Sequence, residues 1–64
     1  MKVTGKEFRR WRRGLEISQG KVAEFCDVDK STICRWEKGL IKIHTNIYNK
    51  ILDFVNFIEK SSNL

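Results

Sequence analysis

An all-α domain of four helices, with room for a fifth, is the fold class this sequence predicts, and three observations predict it. Residues suited to cap a helix stand at Thr4, Ser18 and Asp29, and each is followed by apolar residues at the spacing that lines one helical face. Proline is absent, and Gly14 and Gly39 fall where two of these patterns end. Leu40 to Ile43 alternates too briefly to build a sheet, since a lone short strand has no partner, so a loop is expected there.

With 64 residues the chain has room for one domain, residues 1–64, and one small core. Apolar residues at 41% and charged residues at 33% are the balance of a compact domain rather than of a disordered chain.

The first helix starts from Thr4 and carries Phe8, Trp11 and Leu15 at i, i+3 and i+7, three large apolar groups on one face, with Gly14 weakening its end. Ser18 caps the second, where Val22, Ala23 and Cys26 repeat at helical spacing before Asp27, Val28 and Asp29 interrupt. Asp29 caps the third, in which Ile33 and Trp36 are the buried anchors and Gly39, able to take positive φ, is the stop. Helix, three-residue break, helix is the pattern over about residues 18–39. The last helix begins at His44 or Thr45 and covers about residues 45–60. Its apolar residues, from Ile47 and Tyr48 through Ile51, Leu52, Phe54, Val55, Phe57 and Ile58, cover more than half its circumference, which exceeds what one core face needs.

Net charge is +5 with a pI near 9.6, and its distribution is uneven. Lys2, Lys6, Arg9, Arg10, Arg12 and Arg13 stand against Glu7 alone at the start of the chain. Such a cluster suits phosphates or an anionic membrane surface, or is simply a solvated helix face. The membrane reading is the weaker one, because Phe8, Trp11 and Leu15 are claimed by the core, whereas an interfacial helix spends that face on lipid. No stretch is apolar enough for a signal segment or a membrane span. Cys26 and Cys34, eight residues apart, and the single His44 do not supply the paired ligands of a structural zinc. Both cysteines are therefore expected as free thiols in a reducing cytoplasm, with no metal, no cofactor and no small-molecule ligand. There is no glycine-rich phosphate loop, and Ser18, Ser31 and the cysteines find no triad around the only histidine, which argues against an enzyme.

Taken together, Ser18-Gln19, Val22-Ala23, Val28, Thr32-Ile33, Arg35-Trp36-Glu37 and Gly39 resemble the helix-turn-helix of the Xre family, which includes the lambdoid phage repressors and Cro proteins. The likeness covers roughly Phe8 to Gly39, with matching spacing at the apolar anchors, and fades over the last third. Its physical basis stands apart from the family. Two short helices crossing at about 90–120° need a small residue at the crossing, and Ala23 supplies it. Val28 and Ile33 then close a miniature core, leaving the outer face of the third helix free for a major groove about 12 Å wide.

The resemblance implies a repressor-like domain whose third helix touches base edges through Lys30, Ser31 and Arg35. Lysine and arginine pair well with guanine O6 and N7, each good contact adding about 1–3 kcal/mol of discrimination, so G-containing half-sites are expected; contact with phosphate alone is the alternative for Lys30 and Arg35. It further implies that Gln19 holds a phosphate and braces the third helix, and that Thr32, Lys38 and Lys42 flank the groove as positioning contacts. Gly20 and Lys21 replace the family's usual acidic pair, which costs the helix about 1 kcal/mol for the glycine and turns a cation toward the phosphate. In the family, the arginine and glutamate matching Arg12 and Glu37 form a partly buried ion pair between first and third helices. That pairing takes Arg12 away from DNA and leaves Arg9, Arg10 and Arg13 as a basic surface that steers the encounter.

Three residues or pairs depart from the family pattern. Asp27 stands where a glycine with positive φ is usual, Ile43 stands near the usual proline, and Asn56-Phe57 replaces the small-glycine break after the fourth helix, so that helix is free to continue as one unit to about Lys60 and the family's usual fifth helix is in question. The surplus apolar groups Phe54, Phe57 and Ile58, with Leu64 as a further neighbour, are candidates for a homodimer surface that sets two reading helices one DNA turn apart; the alternative is that the core absorbs them. The expected function is sequence-specific binding of double-stranded DNA by a transcriptional regulator, a repressor of a phage or mobile element, in a prokaryotic cytoplasm. A protein-interaction module on the same scaffold, such as an antitoxin or anti-repressor, is the alternative.

Overall fold

In a computed structural model, which describes residues 3–62, four helices follow one another: α1 (Gly5–Gly14), α2 (Gln19–Cys26), α3 (Lys30–Glu37) and α4 (Thr45–Ser62). Among the described residues there is no strand and no fifth helix, and α4 continues through Asn56 and Phe57 to Ser62, slightly past its expected end. Leu64 lies outside the described residues.

Two of the three expected caps form through their side chains. Thr4 Oγ1 accepts from the Glu7 amide at 3.1 Å while Glu7 Oε1 accepts from the Thr4 amide, a reciprocal box that satisfies two donors at the start of α1. Ser18 Oγ accepts from the Lys21 amide at 3.1 Å. Asp29 differs from expectation: its backbone is extended as a cap should be, but its carboxylate makes no cap hydrogen bond. The Thr32 amide, the donor it would take, is bound by the Asp29 carbonyl instead at 3.0 Å. At α4 the ring nitrogen Nδ1 of His44 accepts from the Asn46 amide, so His44 is the cap and Thr45 the first helical residue.

The first three helices stop in the same way. Each runs into one residue with positive φ: Glu16 at 58°, Asp27 at 57° and Gly39 at 77°. The amide of that residue and the next one then return to the last carbonyls of the helix: Glu16 to Arg13 and Ile17 to Arg12, Asp27 to Glu24 and Val28 to Ala23, Gly39 to Trp36 and Leu40 to Arg35. This paired closure satisfies two orphan carbonyls per helix end and turns the chain sharply. It also explains a departure from the sequence reading. Leu15, expected on the Phe8 and Trp11 face, lies past the last turn of α1 and is 46% exposed, and Ile17 packs toward the core after the turn.

α2 packs on both α3 and α4, and α1 packs on α3. Phe8, Val22, Ala23, Cys26, Ile33, Trp36, Ile51 and Phe54 form the buried centre. The Phe8 ring meets Trp11 and Trp36 at centroid distances of 5.6 and 5.4 Å, and Phe54 makes T-shaped contacts with Trp11 and Phe25. Phe54 is thus removed from the expected homodimer surface: at 1% exposure it is core. Ile58 is half-buried against the same core, and Phe57 remains largely exposed, stacked on Phe25 at 6.0 Å. The partner Phe25, 45% exposed on α2, carries no distinguishing signal in the sequence.

Candidate nucleic-acid interface

α1 has two faces set by the 3.6-residue period. Phe8 and Trp11 turn to the core, while Lys6, Arg9, Arg10 and Arg13, at i, i+3, i+4 and i+7, form an entirely basic stripe on exposed positions. α3 is divided likewise. Ile33, Trp36 and Glu37 are buried, and Lys30, Ser31 and Arg35 are exposed, with Thr32 and Cys34 half-buried between.

Gly5 decides how the two helices meet. A Cβ there would lie 2.1 Å from the Trp36 carbonyl oxygen, so the start of α1 touches the end of α3 backbone to backbone. Arg12 completes the joint. Its Nε lies 2.8 Å from Glu37 Oε2 and its Nη2 donates to Oε1 at 2.9 Å, a two-pronged ion pair buried on both sides, while Nη1 donates to the Ile17 carbonyl at 2.7 Å. One guanidinium therefore ties α1 to α3 and also fixes the turn that leads into α2. Gln19, half-buried at the first position of α2, donates from Nε2 to Glu37 Oε1 at 3.0 Å, bracing α3 with one amide hydrogen and keeping the other for a further acceptor.

These contacts bring some of the expected site residues together and not others. Lys30, Lys38 and Gln19 line one cleft of about 320 Å³ with Arg9, Arg12, Arg13 and Glu37. It adjoins a second depression of about 590 Å³ that shares Arg9, Arg13, Glu37 and Lys38 and adds Lys6 and Arg10, making one continuous trough between α1 and α3. Lys42 lies outside this trough, lining an apolar depression with Val3, Gly5, Trp36, Ile41 and Tyr48. Lys21 is exposed near the start of α2, its amide held by Ser18. The basic stripe of α1 was present in the residue spacing; its meeting with Lys30 and Lys38 depends on the Gly5 contact, which spacing does not reveal.

Among the described residues Arg12–Glu37 is the sole ion pair, so the six cations Lys6, Arg9, Arg10, Arg13, Lys30 and Lys38 face the trough without acidic partners. No group of His, Cys, Asp and Glu able to hold a metal occurs there, and no described helix is long and apolar enough to cross a membrane. Cys26 is buried in the core and Cys34 half-buried on α3, both as free thiols. No protein-family model matches the chain, and neither does any curated protein or solved structure.

Proposed function

We propose that this chain is a sequence-specific double-stranded DNA-binding protein of the helix-turn-helix kind, which lays α3 in the major groove and acts as a transcriptional regulator, a repressor. One observation carries the reading: α3 buries Ile33, Trp36 and Glu37 and leaves Lys30, Ser31 and Arg35 exposed, with Ser31 and Arg35 one turn apart on the side away from Ile33 and Lys30 at the first position of the helix. A helix about 10–12 Å across fits a groove about 12 Å wide, and two of those three side chains suit guanine edges. The turn before α3 supports it, because Asp27 in the left-handed conformation and the small Ala23 let α2 and α3 pack closely. Gln19, Lys21, Thr32 and Lys38 take phosphates, Lys42 is left out of that set by its place in the apolar depression, and Arg12 with Glu37 holds the scaffold.

Selection of bound duplexes from a random-sequence pool tests the reading. A palindrome with half-sites about one helical turn apart is the expected result, with paired copies of the chain meeting through Phe57. Failure to enrich any sequence, with binding that only fades in salt, would leave phosphate attraction alone. A protein-interaction module is the second reading, favoured by the stacked and exposed Phe25 and Phe57. It prevails if Lys30→Ala/Arg35→Ala leaves DNA binding unchanged and Phe57→Ala abolishes capture of a protein partner.

A further inference from the structure

We infer that the trough between α1 and α3 is a binding site for the backbone phosphates of double-stranded DNA, in which Arg9 and Arg13 hold phosphate directly and do more than steer the encounter. The inference rests on the reading of α3 as the helix that enters the groove.

The trough collects cations from two walls, Lys6, Arg9, Arg10 and Arg13 from α1 and Lys30 and Lys38 from α3. Crowding like charges costs stability, and among the described residues no ion pair offsets it. Glu37 is the one acid in the lining, and both of its oxygens are already taken by Arg12 and Gln19. An anion from outside is what the arrangement lacks. Its shape favours a polyanion over a single small one. The basic stripe from Lys6 to Arg13 extends about 10 Å along α1, enough to follow about two phosphates of one strand. Lys30 lies both in the trough and at the first position of α3, the end that the proposed reading turns toward the bases, so a strand lying in the trough is the one bordering the bases α3 would read. Arginine is suited to this role because its planar fork meets two phosphate oxygens at once. A lipid surface fits less well: the lining carries no apolar side chain, and the apolar residues Phe8 and Trp11 of α1 are turned into the core.

The test is Arg9→Gln/Arg13→Gln in the full chain, with both substitutions on exposed positions and folding checked by circular dichroism. Binding is measured to the duplex recovered by selection and to a scrambled duplex across a salt series. Two lost phosphate contacts should make the slope of log affinity against log salt shallower by about 1.8, and lower affinity for both duplexes about 60-fold at about 0.1 M salt. The preference between the duplexes should persist, and dissociation should quicken. An unchanged dissociation rate, with the loss confined to association, would mean steering alone and overturn the site while leaving the role of α3 standing. A lost preference with an unchanged slope would place the arginines on bases and overturn it equally. If the unaltered chain bound neither duplex, the reading of α3 and the trough would fall together; binding to vesicles of anionic phospholipid instead would give the trough to a lipid surface.

Discussion

At the scale of single residues, the charges with most at stake are the buried pair Arg12 and Glu37. Arg12 spends three of its nitrogens on Glu37 and the Ile17 carbonyl, and Glu37 spends both oxygens on Arg12 and Gln19. Removing one partner strands the other in a low-dielectric interior, so Arg12→Ala should cost about 3–5 kcal/mol in urea unfolding, a large part of the stability of so small a domain. Replacing both with apolar residues of similar volume, Arg12→Met with Glu37→Met, should recover much of that loss, because no charge is then left buried. Cys26 makes the complementary statement about pH. Burial pushes its thiol above the ordinary range, with Lys50 opposing the rise and Asp53 adding to it. The folded state therefore holds the thiol proton more tightly than the unfolded chain does. The thiol's contribution is intact below the unfolded thiol's pKa and is lost as pH rises through the folded one. Unfolding titrations at matched alkaline pH should show stability falling more steeply for the unaltered chain than for Cys26→Ala, whatever constant offset the lost sulfur introduces.

At the scale of elements, the stops matter more than the starts. Thr4 and Ser18 announce their helices because a capping hydroxyl is a local event, legible from residue type and position. Gly39 announces its stop for the same reason. Glu16 does not: glycine is the usual residue for positive φ, and Gly14, two positions earlier, occupies an ordinary helical position with open space around it. A left-handed residue other than glycine costs about 1–2 kcal/mol, and less for aspartate, whose short side chain tolerates that region better. Glu16→Gly should therefore stabilise the domain by about 0.5–1 kcal/mol once the added freedom of the unfolded chain is subtracted. Asp27→Gly should gain less. Thermal melts of the two variants side by side test the order, and a larger gain at Asp27 would mean that Glu16 is not strained as its backbone implies.

At the scale of the whole molecule, helix number, helix order and most of the buried centre follow from capping and period, which act within a few residues. What the sequence withheld depends on packing between elements. Phe54 and Phe57 both lie on the apolar arc of α4 and both meet Phe25, but Trp11 from α1 packs on Phe54, which is core, while Phe57 stays 56% exposed. The trough is similar: the basic spacing on α1 is plain, but its shape depends on Gly5 letting α1 close onto α3. That closure gives the protein a charge distribution with a measurable consequence. With its one described ion pair buried and six cations gathered along the trough, the free protein is under net repulsion, which salt screens. Raising ionic strength should increase the melting temperature by several degrees, and sulfate should do so more than chloride at equal ionic strength, since an anion that occupies the trough binds only the folded state. Over the same salt range, affinity for duplex DNA should fall, because on the proposed reading the cations that repel one another in the free protein are those that displace counterions from the phosphates. A melting temperature that fell as salt rose would mean that attractions dominate the surface and that the cations of α1 and α3 lie too far apart to act as one site.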